Sequence, residues 1–155
     1  MNPPVLLYAE DDLDDRVLFT HACSRANVSF RLVSAEDGQE AVDYLSGSGR
    51  FAKRSEFPFP TGLLLDIKMP SLDGFAVLRW IRAQERFAAL PVFIFTSSYH
   101  HVDIQRAYEE KATAFLTKPS EFGALTRLAG ALSECLRSGG IQIDPLTLLP
   151  QYKRP

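Results

Sequence analysis

The strongest constraint in this sequence is an alternation. Short apolar runs take turns with longer segments whose apolar residues recur at helical spacing. The runs are Val5 to Ala9, a weaker alternating stretch over Phe30, Leu32 and Ser34, Leu63 to Asp66, Val92 to Thr96, and Ala114 to Leu116. Between and after them, helices are predicted over residues 14–26, 38–46, 74–85, 101–111 and 120–137. Val17, Leu18, His21 and Ala22 share one side of the first, and the inward residues read as Ala41, Val42 and Leu45 in the second and Val77, Leu78 and Ile81 in the third. Phe122, Leu125, Leu128, Leu132 and Leu136 mark the last and best of them, while 101–111 has few large apolar residues. Strand and helix alternating five times predicts an α/β fold, a doubly wound parallel sheet of five strands with helices on both faces.

Chemistry gathers where the runs end. The first ends at Glu10-Asp11-Asp12, the third at Asp66, the fourth at Thr96, and the fifth is followed by Lys118-Pro119. In an open parallel sheet, ligands bind beyond the carboxyl ends of the strands. Neighbouring strands would therefore bring these groups to one rim. Carboxylates crowded there repel one another unless a cation joins them. The pattern points to a magnesium ion, a phosphoryl group on Asp66 and a lysine that neutralises it. An aspartate closing a buried strand is costly without such a partner.

Other classes fit less well. The 155 residues suit one domain, and a net charge of -2 leaves no nucleic-acid footprint. Cys23 and Cys135 have no metal-ligand spacing and make no disulfide framework. No apolar run approaches the ~20 residues that span a membrane, and Met1-Asn2-Pro3-Pro4 lacks signal-peptide character, so a cytoplasmic protein is expected. His21, His100 and His101 read as surface residues. Two segments exceed the minimal repeat. Residues 47–62 form a long loop, of a kind that is often functional or mobile. Residues 138–155 follow as a C-terminal extension to a domain of 1–137, too apolar for a linker and too short for an effector domain.

Residues 4–137 resemble the receiver domain of two-component response regulators. Glu10 and Asp11 match the family's metal-binding acidic pair, and Asp66, within Leu65-Asp66-Ile67-Lys68-Met69-Pro70 and before Asp73-Gly74, matches its phosphorylated aspartate. Thr96 matches the switch hydroxyl, Lys118-Pro119 the lysine and its proline, and Phe115 the aromatic switch position. The acidic opening of the first helix, the long loop and the short tail look like the small receivers that serve phytochrome-type and hybrid histidine kinases.

The resemblance implies a flavodoxin-like strand order of 2-1-3-4-5 and a cis bond before Pro119. It implies a phosphoacceptor signalling protein rather than an enzyme. Phosphoryl transfer runs from a kinase phosphohistidine to Asp66, with Mg2+ held by Asp11, Asp66 and the backbone carbonyl of Lys68, and by Glu10 through a water. Lys118 meets a phosphoryl oxygen, Thr96 turns toward another, and Phe115 turns inward behind it. The partners implied are a histidine kinase and a downstream protein or histidine phosphotransfer partner, with no nucleic acid and no membrane. The apolar tail suggests a homodimer. A haloacid-dehalogenase-type phosphohydrolase is one rival, but it needs a second aspartate two residues after the nucleophile, where this chain has Lys68. A binding module that keeps the fold but has lost phosphorylation is the other, and the complete set of acid pair, aspartate, threonine and lysine argues against it.

Overall fold

The computed structural model describes residues 2–137. Five strands, β1 (Val5–Ala9), β2 (Arg31–Ala35), β3 (Gly62–Leu65), β4 (Val92–Thr96) and β5 (Ala114–Thr117), form one parallel sheet in the order β2-β1-β3-β4-β5. Helices α1 (Leu13–Ala26), α2 (Gly38–Ser46), α3 (Gly74–Arg82), α4 (His101–Glu109) and α5 (Phe122–Arg137) connect and cover it. The expected fold class and strand order both hold. Central strands β1, β3 and β4 are buried along their whole length, as strands sandwiched between helix layers must be.

The period of two splits each strand between two cores. Leu7, Leu63, Leu65, Val92 and Ile94 face α2, α3 and α4. Leu6, Tyr8, Leu64, Phe93 and Phe95 face α1 and α5. Three helices begin on an aspartate whose carboxylate accepts an amide of the first turn: Asp12 from Asp15, Asp37 from Glu40 and Asp73 from Ala76. Short β-to-α links of this kind start each helix at the sheet's carboxyl rim, beside the strand-end groups.

Two expected faces are wrong. On α1 the buried residues are Phe19, Ala22 and Cys23, whereas Val17 and Leu18 point outward; His21 is exposed, as its reading as a surface residue predicts. Apolar residues at 17, 18, 19, 22 and 23 make two overlapping stripes, and the stripe with the larger ring packs against α5 and the sheet. Phe122, expected inward on α5, is also exposed, because it opens the helix ahead of the first packed turn at Leu125.

The loop over 47–62 is pinned. Arg54 donates to the carbonyls of Tyr44 at 2.7 Å and Leu45 at 2.8 Å, in the last turn of α2, and to that of Phe57 at 3.2 Å in the loop itself. Tyr44, Phe51 and Phe57 pack edge against face beneath it. Its last residues lead into β3, so the loop serves the amino rim, opposite the strand-end groups. The extension over 138–155, with the dimer expected of it, lies outside the described residues.

Candidate functional site

Glu10, Asp66, Thr96 and Lys118 meet at the carboxyl rim. Backbone pairing carries each one there: the Asp66 amide donates to the Ala9 carbonyl at 3.1 Å, and the Lys118 amide to that of Thr96 at 2.7 Å. Glu10, Asp66 and Thr96 are the only charged or polar residues buried in the described part of the chain. The Lys118 ammonium joins them, donating to Glu10 Oε2 at 3.0 Å, Asp66 Oδ2 at 3.0 Å and Asp15 Oδ2 at 2.8 Å. The other Asp66 oxygen accepts the Ile67 amide at 2.7 Å. Gly74, at the start of α3, packs directly on the Asp66 backbone, and a Cβ there would lie 2.1 Å from the Asp66 carbonyl oxygen.

The acids divide one proton unequally. Burial, with Asp66 alongside, pushes the Glu10 carboxyl up to about 8. Burial works on Asp66 in the same direction but is outweighed by the hydrogen bond with Glu10, the Lys118 ammonium and the Ile67 amide, which hold it below the usual carboxylate value. Asp66 is thus the ionised member of the pair at neutral pH. Lys118 is held above its ordinary value: burial opposes its charge, but Asp15, Asp66 and Glu10 together prevail.

Carboxylate oxygens of Glu10, Asp11 and Asp66 lie within 4.8 Å of one another. Three carboxylates whose oxygens converge in this way suit a hard divalent cation. Glu10 and Asp66 are buried and Asp11 is exposed, so such an ion would sit between the core and water. Lys68 is exposed two residues beyond Asp66.

Thr96 Oγ1 accepts only a long 3.4 Å bond from the Ser98 amide. The Phe115 ring is already in the core, 4% exposed, and its amide donates to the Tyr108 hydroxyl of α4 at 3.0 Å. Lacking a hydroxyl to hold it at the surface, the ring stays inside. No cis peptide bond occurs among the described residues, so the cis bond expected before Pro119 is trans here, the isomer an X–Pro bond ordinarily prefers.

Asp15 was missed as a site residue. It stood out only as part of an acidic run, and its lysine lies 103 positions away. Tyr8 was missed too. It is fully buried one strand turn below Glu10, and its hydroxyl has no hydrogen-bond partner.

Residues 6–129 match the response regulator receiver domain. The chain belongs to that family. This receiver is also similar to the response regulator Rcp1 of Synechocystis, 30% identical over 76% of this chain and 78% of that one. Two solved structures share its fold. One is response regulator RPA3017 in red light signaling of R. palustris, with a TM-score of 0.80 and 34% identity over 85% of this chain and 92% of that one. The other is the phosphorylated cyanobacterial phytochrome response regulator RcpA, with a TM-score of 0.79 and 26% identity over 88% and 96%. The receiver is therefore a signalling component that a histidine kinase phosphorylates on aspartate. Among the described residues, no helix is long and apolar enough to cross a membrane.

Proposed function

We propose that Asp66 is the phosphoacceptor and that the chain works as a cytoplasmic response regulator. The observation that carries this is the buried Asp66 sharing the Lys118 ammonium with Glu10 at the carboxyl rim. In the reaction a bond forms between an Asp66 carboxylate oxygen and phosphorus, while the bond from phosphorus to the kinase's histidine nitrogen breaks. Positioning and positive charge do most of the work in such a transfer. Magnesium, when bound, would supply charge that offsets the phosphoryl oxygens. Asp11, Asp66 and the Lys68 carbonyl are its proposed holders, with Glu10 acting through a water. Glu10 gives up its proton to take that part, and Lys118 turns toward a phosphoryl oxygen.

Phosphorylation adds charge close to -2 and new acceptors. Thr96, weakly held by Ser98, turns toward them. Tyr108, bonded to β5, can pass that change to α4, whose one buried residue is Ala107. The surface of α4, β5 and α5 then alters its affinity for a downstream protein or a histidine phosphotransfer partner. The likeness to RPA3017 and RcpA supports a phytochrome-type kinase as the donor. A second copy of this chain, joined through 139–155, is a further proposed partner. Deleting that segment should lower the mass seen by light scattering, and a monomer before and after deletion would remove the idea.

Intact mass after incubation with acetyl phosphate and magnesium tests the reading. One added phosphoryl group that needs both magnesium and Asp66 is expected, with Asp66→Asn as the control. Gain on the Asn variant would refute the assignment. Thr96→Ala should still be phosphorylated but bind its partner more weakly.

A further inference from the structure

An ammonium group has three N–H donors. On Lys118 all three are engaged, by Glu10, Asp15 and Asp66. A phosphoryl group on Asp66 therefore meets a lysine with no donor to spare, and one carboxylate has to yield. The three are not equal. The Glu10 side chain is 1% exposed, that of Asp66 9% and that of Asp15 41%. A buried acceptor oxygen that loses its donor stays desolvated, whether or not the acid carries a proton, whereas an exposed carboxylate recovers water. The bond to Asp66 can pass to the phosphoryl oxygens attached to it. Those oxygens stand beyond the present carboxylate, so the ammonium has to move to follow them. Asp15 cannot follow. Its amide is tied to the Asp12 carboxylate at 3.0 Å, and the adjacent Arg16 donates to the Glu10 carbonyl at 2.7 Å, which holds the first turn of α1 in place.

We propose that Asp15 is a positioning residue that competes with the phosphoryl group for Lys118 and is released from it when Asp66 is phosphorylated. The inference rests on Asp66 being the phosphoacceptor. It gives the receiver a second outlet, separate from Thr96. The departure of Lys118 leaves the Asp15 carboxylate free on the first turn of α1, beside the outward apolar residues Leu13, Val17 and Leu18.

Beryllofluoride, which mimics the phosphoryl group on an aspartate, tests this at equilibrium. Its affinity is measured with magnesium for the wild-type chain, Asp15→Asn and Asp14→Asn. Asp14 is exposed on the same turn and removes the same charge. Asp15→Asn should bind about two- to fivefold more tightly, the scale of one half-exposed ion pair, and Asp14→Asn should match wild type. In the wild-type chain, the Asp15 carboxyl carbon resonance should shift on beryllofluoride addition toward its position in Lys118→Met. Unchanged or weaker affinity in Asp15→Asn, an equal gain in Asp14→Asn, or a stationary Asp15 resonance would each overturn the competition. Wild-type chain that binds no beryllofluoride would instead remove the reading of Asp66 on which it rests. Urea midpoints of the variants confirm that each is folded.

Discussion

Replacing Lys118 with methionine keeps the length of the side chain and removes its charge. Three carboxylates at 2.8–3.0 Å then lose their common cation. At an effective dielectric constant of about 20, each such contact is a gross attraction of roughly 5 kcal/mol. Most of that does not appear as stability. Asp15 returns to water, the lysine no longer has to be dehydrated, and Glu10, already pushed up to about 8, simply keeps its proton. What remains is Asp66, buried and ionised with only the Ile67 amide and the Glu10 proton for company. Breaking a buried pair in this way costs about 3 kcal/mol. With a urea dependence of about 2 kcal/mol per molar, the midpoint in metal-free buffer at pH 7 should fall by roughly 1.5 M. Millimolar magnesium should recover much of the loss, because it brings positive charge back among Glu10, Asp11 and Asp66. A variant midpoint within about 0.2 M of wild type, or a loss that magnesium leaves untouched, would refute the electrostatic account of this rim.

Three further outcomes follow from the same geometry. Because the Glu10 pKa is raised on folding from 4.5 to about 8, its contribution is fully present below 4.5 and lost as pH rises through about 8. Asp66 is lowered, so its contribution is lost only in acid and stays flat over that window. Metal-free stability should therefore fall between pH 5 and pH 8, by up to about 1 kcal/mol per pH unit, and urea titrations of Glu10→Gln should show the slope abolished. Gly74→Ala puts a Cβ 2.1 Å from the Asp66 carbonyl, about 1 Å inside any tolerable contact. It should cost about 3 kcal/mol and slow phosphorylation by acetyl phosphate on the order of 100-fold, since it displaces the reacting residue; a variant with wild-type kinetics would show that α3 can shift without moving Asp66. Tyr8→Phe deletes a buried hydroxyl that has no partner, so thermal unfolding should show a gain of about 1 kcal/mol; a loss would mean the hydroxyl is bonded after all.

Much of the fold and the candidate rim could be read from local pattern. Apolar runs of strand length, helical repeats between them and the residue that closes each run are properties of neighbouring positions. Glu10, Asp66, Thr96 and Lys118 were placed at strand ends by counting alone, and a parallel sheet sends all its strand ends of one kind to the same rim. Asp73 and Gly74 likewise mark the start of α3, where the close approach to Asp66 leaves no room for a Cβ.

Tertiary packing decided the rest. The outward turn of Val17 and Leu18 followed from α1 pressing Phe19, Ala22 and Cys23 against α5 and the sheet, a choice between two stripes of similar hydrophobicity. The buried Phe115 ring and the orphaned Tyr8 hydroxyl depend on the shape of the two cores. Asp15 is the plainest case. Its sequence context is a solvated helix start, yet it holds the shortest bond to Lys118, from 103 residues away. The amino-acid sequence determined which chemical groups stand at the ends of the strands, because that depends on order along the chain. Only the folded structure decided which carboxylates share the single ammonium and which of them keeps the proton, because burial and charge act through space.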